Sequence, residues 1–335
     1  MKKEIITLQH GSGGRPTQEL IERLILPRFS SPALRQLLDS ALVECSGRIA
    51  FTTDAFVVRP IFFPGGDIGK LAVSGAVNDL AAVAAEPLFL AASFVLEEGL
   101  EVEELDRVLE SMSKTCKEAG IALVAGDTKV VEKGAGDKIY ISTSAIGVRK
   151  QNPDPQPALI SPGDVIIVTG PIGEHGMAVL QARENFFRDL ELESDCAPIW
   201  PLIDSLLKAG LKISAMRDPT RGGLATTLSE LARDSRLCLQ VDEGKIPIGK
   251  TVQAACDMLG LDPMYLACEG RMVIVLPQES AGRALEVLRG HPLAQNAALI
   301  GECLGEPQKV ALLSTRIGGR RILQPLSGEQ LPRIC

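Results

Sequence analysis

Two hydrophobic periods alternate along this chain, and each predicts a type of element. Ile49–Phe63 is rich in β-branched and aromatic residues and predicts strand, interrupted by a turn at Thr52-Thr53-Asp54. Ile68–Ala85 is built of small apolar residues and predicts a helix that stops ahead of Pro87, after which Leu88–Leu96 predicts a buried strand. Val102–Ala119 has the spacing of an amphipathic helix closed by Gly120, and Ile121–Val124 and Ile139–Val148 predict further strands. The second half repeats the style without repeating the sequence. Strands are expected at Val165–Val168, Arg271–Leu276 and Val310–Leu313, and helices at Gly176–Arg183 and Ser280–Leu288. Between the halves, Pro153, Pro155 and Pro157 at alternate positions forbid helix and predict an extended linker near residues 150–163. Strands and helices in both halves imply two α+β domains. After Ser314 the chain predicts an irregular basic tail, with Arg316, Arg320, Arg321 and Arg333 among glycines and prolines.

Composition narrows the function. The 335 residues carry a net charge of −7, 45% hydrophobic residues and only 4% aromatic ones. The acidic balance argues against nucleic acid and anionic membranes as partners, and the few aromatics argue against base stacking. Three His leave little material for a His-rich metal site. The eight Cys show no C-x-x-C spacing, no leader-like segment opens the chain, and the apolar region Leu71–Leu96 is interrupted by Asn78, Asp79, Glu86 and Pro87. A reduced, cytoplasmic, soluble protein is expected.

Four groups of residues could carry chemistry. Asp54, Asp79, Asp127 and Asp218 stand on separate elements, as hard oxygen ligands for Mg²⁺ bound to phosphates would. Ordinary caps and turns account for such Asp equally well, except that Asp79 has apolar surroundings and would need a partner. Two Gly-rich stretches, Gly11-Ser12-Gly13-Gly14 and Arg221-Gly222-Gly223, could bring backbone N–H groups to phosphate, or simply turn the chain. Lys129 and Glu269 could move protons if burial tuned them, or be solvated side chains. Cys335 stands on the basic tail, and the 19 residues from Ile317 to Cys335 extend at most roughly 60 Å, enough to carry a thiol to a distant site.

Taken in order, His10-Gly-Ser-Gly-Gly14, Phe51-Thr-Thr-Asp-Ala-Phe-Val-Val58, Val77-Asn-Asp-Leu80, Gly126-Asp-Thr-Lys-Val130, Gly173-Glu-His-Gly176, Arg217-Asp-Pro-Thr-Arg-Gly-Gly-Leu224 and Pro332-Arg-Ile-Cys335 resemble the HypE family of hydrogenase maturation proteins. That family lies within the aminoimidazole ribonucleotide synthetase and selenophosphate synthetase superfamily. The resemblance implies a two-domain PurM-like α+β fold. Residues 1–152 would form an ATP-binding and dimerisation domain whose strands make a β-barrel across a homodimer. Residues 153–315 would form a second α+β domain, and 316–335 a flexible tail.

It also implies a reaction. A HypF carbamoyltransferase loads Cys335, and ATP with Mg²⁺ drives dehydration of the resulting thiocarboxamide to a thiocyanate. The cyano group then passes to iron on a HypC–HypD scaffold for a NiFe hydrogenase. By resemblance Cys335, Lys129 and Glu269 are catalytic. Gly11, Ser12, Gly13, Gly14, Asn78, Asp127, Asp218, Arg221 and Gly222 would hold ATP, and Asp54, Asp79, Asp127 and Asp218 the metal. Two rival functions remain open on the residues alone: a synthetase or kinase acting on a free small molecule, and a non-catalytic thiol carrier.

Overall fold

The structure is a computed structural model that describes residues 4–12, 14–37, 40–151, 153–184 and 191–326. Its first sheet has four strands, β1 (Ile49–Phe56), β2 (Ala85–Glu97), β3 (Ala122–Val131) and β4 (Ile139–Arg149), in the order β1-β4-β2-β3. Only the β2–β3 pair is parallel. The Thr-Thr-Asp turn expected within β1 is absent. Thr52, Thr53 and Asp54 instead stay in register with Ala145, Ser144 and Thr143 of β4, because their alternation places Thr52 and Asp54 on one face.

Helix α1 (Ile68–Ala82) lies on that face beside α2 (Val102–Ala119). Nearly every side chain of α1 is buried, which its small-residue composition permits and an amphipathic helix would not. It ends at Ala82, three residues earlier than expected, and Pro87 sits inside β2 where the register shifts at a bulge. Gly75 lets α1 approach β1: a Cβ there would stand 2.7 Å from Cζ of Phe56. Gly75→Val should therefore lower stability by about 1–3 kcal/mol through overpacking, read as a lower denaturant midpoint at constant slope.

The second sheet has seven strands, β5 (Val165–Val168), β6 (Ala215–Arg217), β7 (Cys238–Asp242), β8 (Val273–Leu276), β9 (Ala298–Leu304), β10 (Val310–Ser314) and β11 (Arg320–Leu323), ordered β11-β10-β7-β9-β5-β8-β6. Its central strands are buried on both faces. Val165, Ile167, Ile274 and Leu276 face a core shared with α1 and the first sheet, while Ile166, Val168, Val273 and Val275 face a second core. The other long helices are α3 (Glu174–Glu184), α4 (Trp200–Lys208), α5 (Gly223–Ser235), α6 (Lys250–Leu259) and α7 (Ala281–Arg289).

Two segments differ from expectation. The linker is held rather than free: Gln151 Nε2 donates to the Ile213 carbonyl at 2.9 Å and Gln156 N to the Ser214 carbonyl at 2.8 Å. The tail expected from residue 316 is structured as far as 326. Residues 320–323 pair as β11 with 311–314 of β10, burying Leu323. Arg321 pairs with Asp262 at 2.8 Å, Tyr265 Oη donates to the Gln324 carbonyl at 3.1 Å, and Leu326 N donates to Thr226 Oγ1 at 3.1 Å.

Candidate active site

A cavity of about 640 Å³ opens where β1, α1, the β6–α5 connection and the Glu269 segment converge. Asp54 from β1, Asp79 from α1, Asp218 beyond β6 and Glu269 line it together, with Arg217 and Arg221. Asp79 accepts a hydrogen bond from Thr52 Oγ1 at 2.6 Å, which ties helix α1 to strand β1. Arg217 is drawn aside by Glu230 at 3.3 Å and Asp234 at 3.9 Å, both on α5. Gly222 (φ +75°) and Gly223 (φ +57°) turn the chain into α5 through left-handed conformations that other residues resist.

The crowding of carboxyls raises their proton affinities. Burial, then the negative charge of Asp79, pushes Asp54 up to about 6. The same two causes push Asp218 up to about 7. Burial first, and then the charges of Asp218, Asp195, Asp54 and Asp79, hold Glu269 well above the usual carboxylate range. Among the described residues no three His, Cys, Asp or Glu side chains stand close enough to hold a metal ion unaided. The donor set is nonetheless all hard oxygen and rich in negative charge, which suits Mg²⁺ that brings phosphate oxygens and water as its remaining ligands.

The structure divides the expected site residues into two groups. Asp54, Asp79, Asp218, Arg221 and Glu269 meet at this cavity, with Gly222 beside Arg221. Asp127 and Lys129 do not line it. They lie mid-strand on the exposed side of β3, paired at 2.8 Å, and this Lys129 contact holds Asp127 below the usual carboxylate range. The turn Leu8–Gly11, followed by Ser12, packs against β3 and does not line the cavity. Within one chain Lys129 and Glu269 therefore do not face the same cavity. Asn78 is buried, and its carboxamide is engaged by backbone: Nδ2 donates to the carbonyls of Ala197 at 3.1 Å and Glu269 at 3.0 Å, and Oδ1 accepts from Ile199 N at 2.9 Å. Gly13 and Cys335 lie outside the described residues.

His175, in the Gly173–Gly176 stretch, is a core residue. Burial lowers its pKa to about 4, its Nδ1 contacts Ser194 Oγ at 2.8 Å, and its ring meets Phe63 edge-on at 5.3 Å. Sequence reasoning passed over Asp195 and the cavity-lining Glu230 and Asp234; nothing in their local sequence separates them from surface acids.

Comparison with known proteins finds relatives along both domains. Residues 38–149 match the family "AIR synthase related protein, N-terminal domain" and residues 161–313 its C-terminal counterpart. The chain is similar to the carbamoyl dehydratase HypE of Cupriavidus necator, 44% identical with 100% of this chain and 96% of that protein covered. Its fold is similar to a crystal structure of hydrogenase maturation protein HypE in complex with ATP, with a TM-score of 0.95 at 43% identity, covering 98% and 99% of the two chains. A HypE–HypF complex matches with a TM-score of 0.80 at 43% identity over 92% of this chain and 99% of the other. With both domains matched and relatives aligned along essentially its whole length, the chain belongs to the HypE family of hydrogenase maturation proteins.

Proposed function

We propose that this chain is an ATP-dependent carbamoyl dehydratase acting on its own Cys335. The observation that carries the reading is the convergence of Asp54, Asp79, Asp218 and Glu269 on one cavity, in a chain so similar to a HypE solved with ATP. The substrate is Cys335 bearing a thiocarboxamide, S–C(=O)–NH2, supplied by a HypF carbamoyltransferase; the similarity to a HypE bound to HypF supports that partner. ATP phosphorylates the amide oxygen, the two N–H protons are removed, and the C–O bond breaks with phosphate leaving, so that Cys335 carries S–C≡N and the net loss is one water.

In this reading Asp54, Asp79 and Asp218, with Asp127, would hold Mg²⁺ and the triphosphate, and the bound ion would supply positive charge against the phosphoryl oxygens. Arg221 and Gly222 receive phosphate oxygens, and Gly11, Ser12, Gly13 and Gly14 cover them. Glu269 and Lys129 take the amide protons. Asn78 belongs to the ATP site through the backbone it holds. Asp127, Lys129 and the Gly11–Ser12 turn lie together at β3, away from the cavity of Asp54, Asp79, Asp218 and Glu269 in the same chain, so the reading needs a homodimer. The outer face of the first sheet supports that assembly: Ile49 is 51% and Phe51 68% exposed there, an apolar surface a barrel across two copies would cover.

The proposed domains are 1–152 and 153–315, with the β10–β11 hairpin carrying the second on to 326. The cyano group passes to a HypC–HypD iron scaffold. A cytoplasmic location fits the seven free cysteines among the described residues, none of whose helices is long and apolar enough to cross a membrane.

Mass spectrometry of the Cys335 peptide tests the reaction. Incubation with the carbamoyltransferase should add one carbamoyl group, and MgATP should then remove one water, with neither change in Cys335→Ala. A loaded Cys335 left unchanged by MgATP would sink the proposal.

A further inference from the structure

Glu269 is fixed by its backbone, and both of its main-chain polar groups are held by buried side chains from other parts of the fold. Its carbonyl accepts from Asn78 Nδ2 on α1. Its N–H points to Asp195 Oδ1 at 3.4 Å, and the next amide, Gly270 N, donates to Asp195 Oδ2 at 3.1 Å. The Asp195 side chain is fully buried; it also accepts from His175 N at 3.0 Å, in the first turn of α3, and pairs with Arg271 Nε at 3.6 Å. Gly270 makes this approach possible, since a Cβ there would fall on the Asp195 carbonyl. Asp195 does not line the cavity of Asp54, Asp79 and Asp218.

We propose that Asp195 is a positioning residue for Glu269. It gathers the start of α3, the 194–197 segment and the 269–271 segment around one carboxylate, and so sets where the Glu269 carboxyl enters the cavity. A buried carboxylate with three N–H partners and a guanidinium is held from several sides, so it is rigid in a way that a solvated acid is not. Displacing a proton acceptor by a fraction of an ångström costs rate without costing nucleotide affinity. The inference rests on the proposed role of Glu269.

Four chains test it, wild type, Asp195→Asn, Glu269→Gln and the double variant, each loaded on Cys335 and followed for loss of water in a single turnover. Asp195→Asn should slow the step by about 10- to 100-fold, with ATP affinity within about threefold of wild type. In the Glu269→Gln background the same change should cost less than about twofold, because the residue through which it acts is gone. An equal loss in both backgrounds, or no loss in either, overturns the positioning role. If Asp195→Asn does not fold, Asp195→Glu keeps the charge and moves it by one methylene, and the same comparison applies. If the wild-type chain itself loses no water, the functional reading fails on its own account. Amide exchange then still judges Asp195: unchanged protection of Glu269 and Gly270 in the variant overturns the inference.

Discussion

Glu269→Gln should lose the dehydration step almost entirely, by about 10²–10⁴-fold, the usual contribution of a positioned general base. The substitution keeps size and hydrogen-bonding shape and removes only the capacity to take a proton. Loading of Cys335 by the carbamoyltransferase should proceed as in wild type, because that step requires nothing from the cavity. The raised proton affinity of Glu269 adds a signature. Burial and four neighbouring carboxylates make its ionised form a stronger base than an ordinary glutamate, and scarcer at neutral pH. The wild-type rate should therefore climb with pH until Glu269 is ionised, and the residual rate of the glutamine variant should lack that limb. A variant within a few-fold of wild type would remove Glu269 from the chemistry.

The second large effect concerns Asp218 and stability. The folded chain holds the Asp218 proton to about 7 and the Asp54 proton to about 6, against an ordinary value of 3.8. Between these values the folded state binds more protons than the unfolded one, so stability falls as pH rises. The contribution is complete below about pH 4 and lost above about pH 7. Without nucleotide, the melting temperature should decline across that window. Asp218→Asn should flatten the decline and raise the melting temperature at pH 8 by about 1–2 °C, the shift that roughly 1 kcal/mol produces in a chain of 335 residues. MgATP should stabilise wild type more at pH 8 than at pH 5.5, since cations favour the ionised carboxyls, and the variant should lose much of that gain. Thermal scans at the two pH values decide it; a wild-type melting temperature that rises from pH 5.5 to 8 without nucleotide would contradict the assignment.

The parts of the fold legible in the sequence were those where one local pattern decides. Val165–Val168 reads as strand because four apolar, β-branched-rich residues in a row bury both faces, and Val102–Ala119 reads as helix because its apolar stripe has a helical period. Thr52-Thr53-Asp54 has turn composition but lies in a strand, since register with β4 outweighs propensity. β3 continues past Val124 to Val131 for a related reason: Asp127 and Lys129 point to the exposed side of an edge strand and cost it nothing there. Order along the chain brought out the cavity acids Asp54, Asp79, Asp218 and Glu269. Asp195 stayed hidden because its burial is created by three segments remote in sequence. The partition of Lys129 from Glu269 was equally invisible, since the two lie on segments far apart in sequence whose relative placement only the tertiary fold sets.

The docking of residues 324–326 against Tyr265 and Thr226 changes the kinetics that Cys335 obeys. Thr226 is next to the cavity-lining Thr227, so the chain leaves its last described anchor beside the rim of the cavity. From Leu326 only nine residues run to Cys335, a reach of at most about 30 Å rather than the 60 Å of a tail free from residue 317. A tether that short keeps the thiol at an effective concentration on the order of millimolar near the cavity. Within the assembled homodimer, dehydration at this site should then be a first-order event, and a loaded peptide offered from solution should compete only when supplied at about millimolar levels.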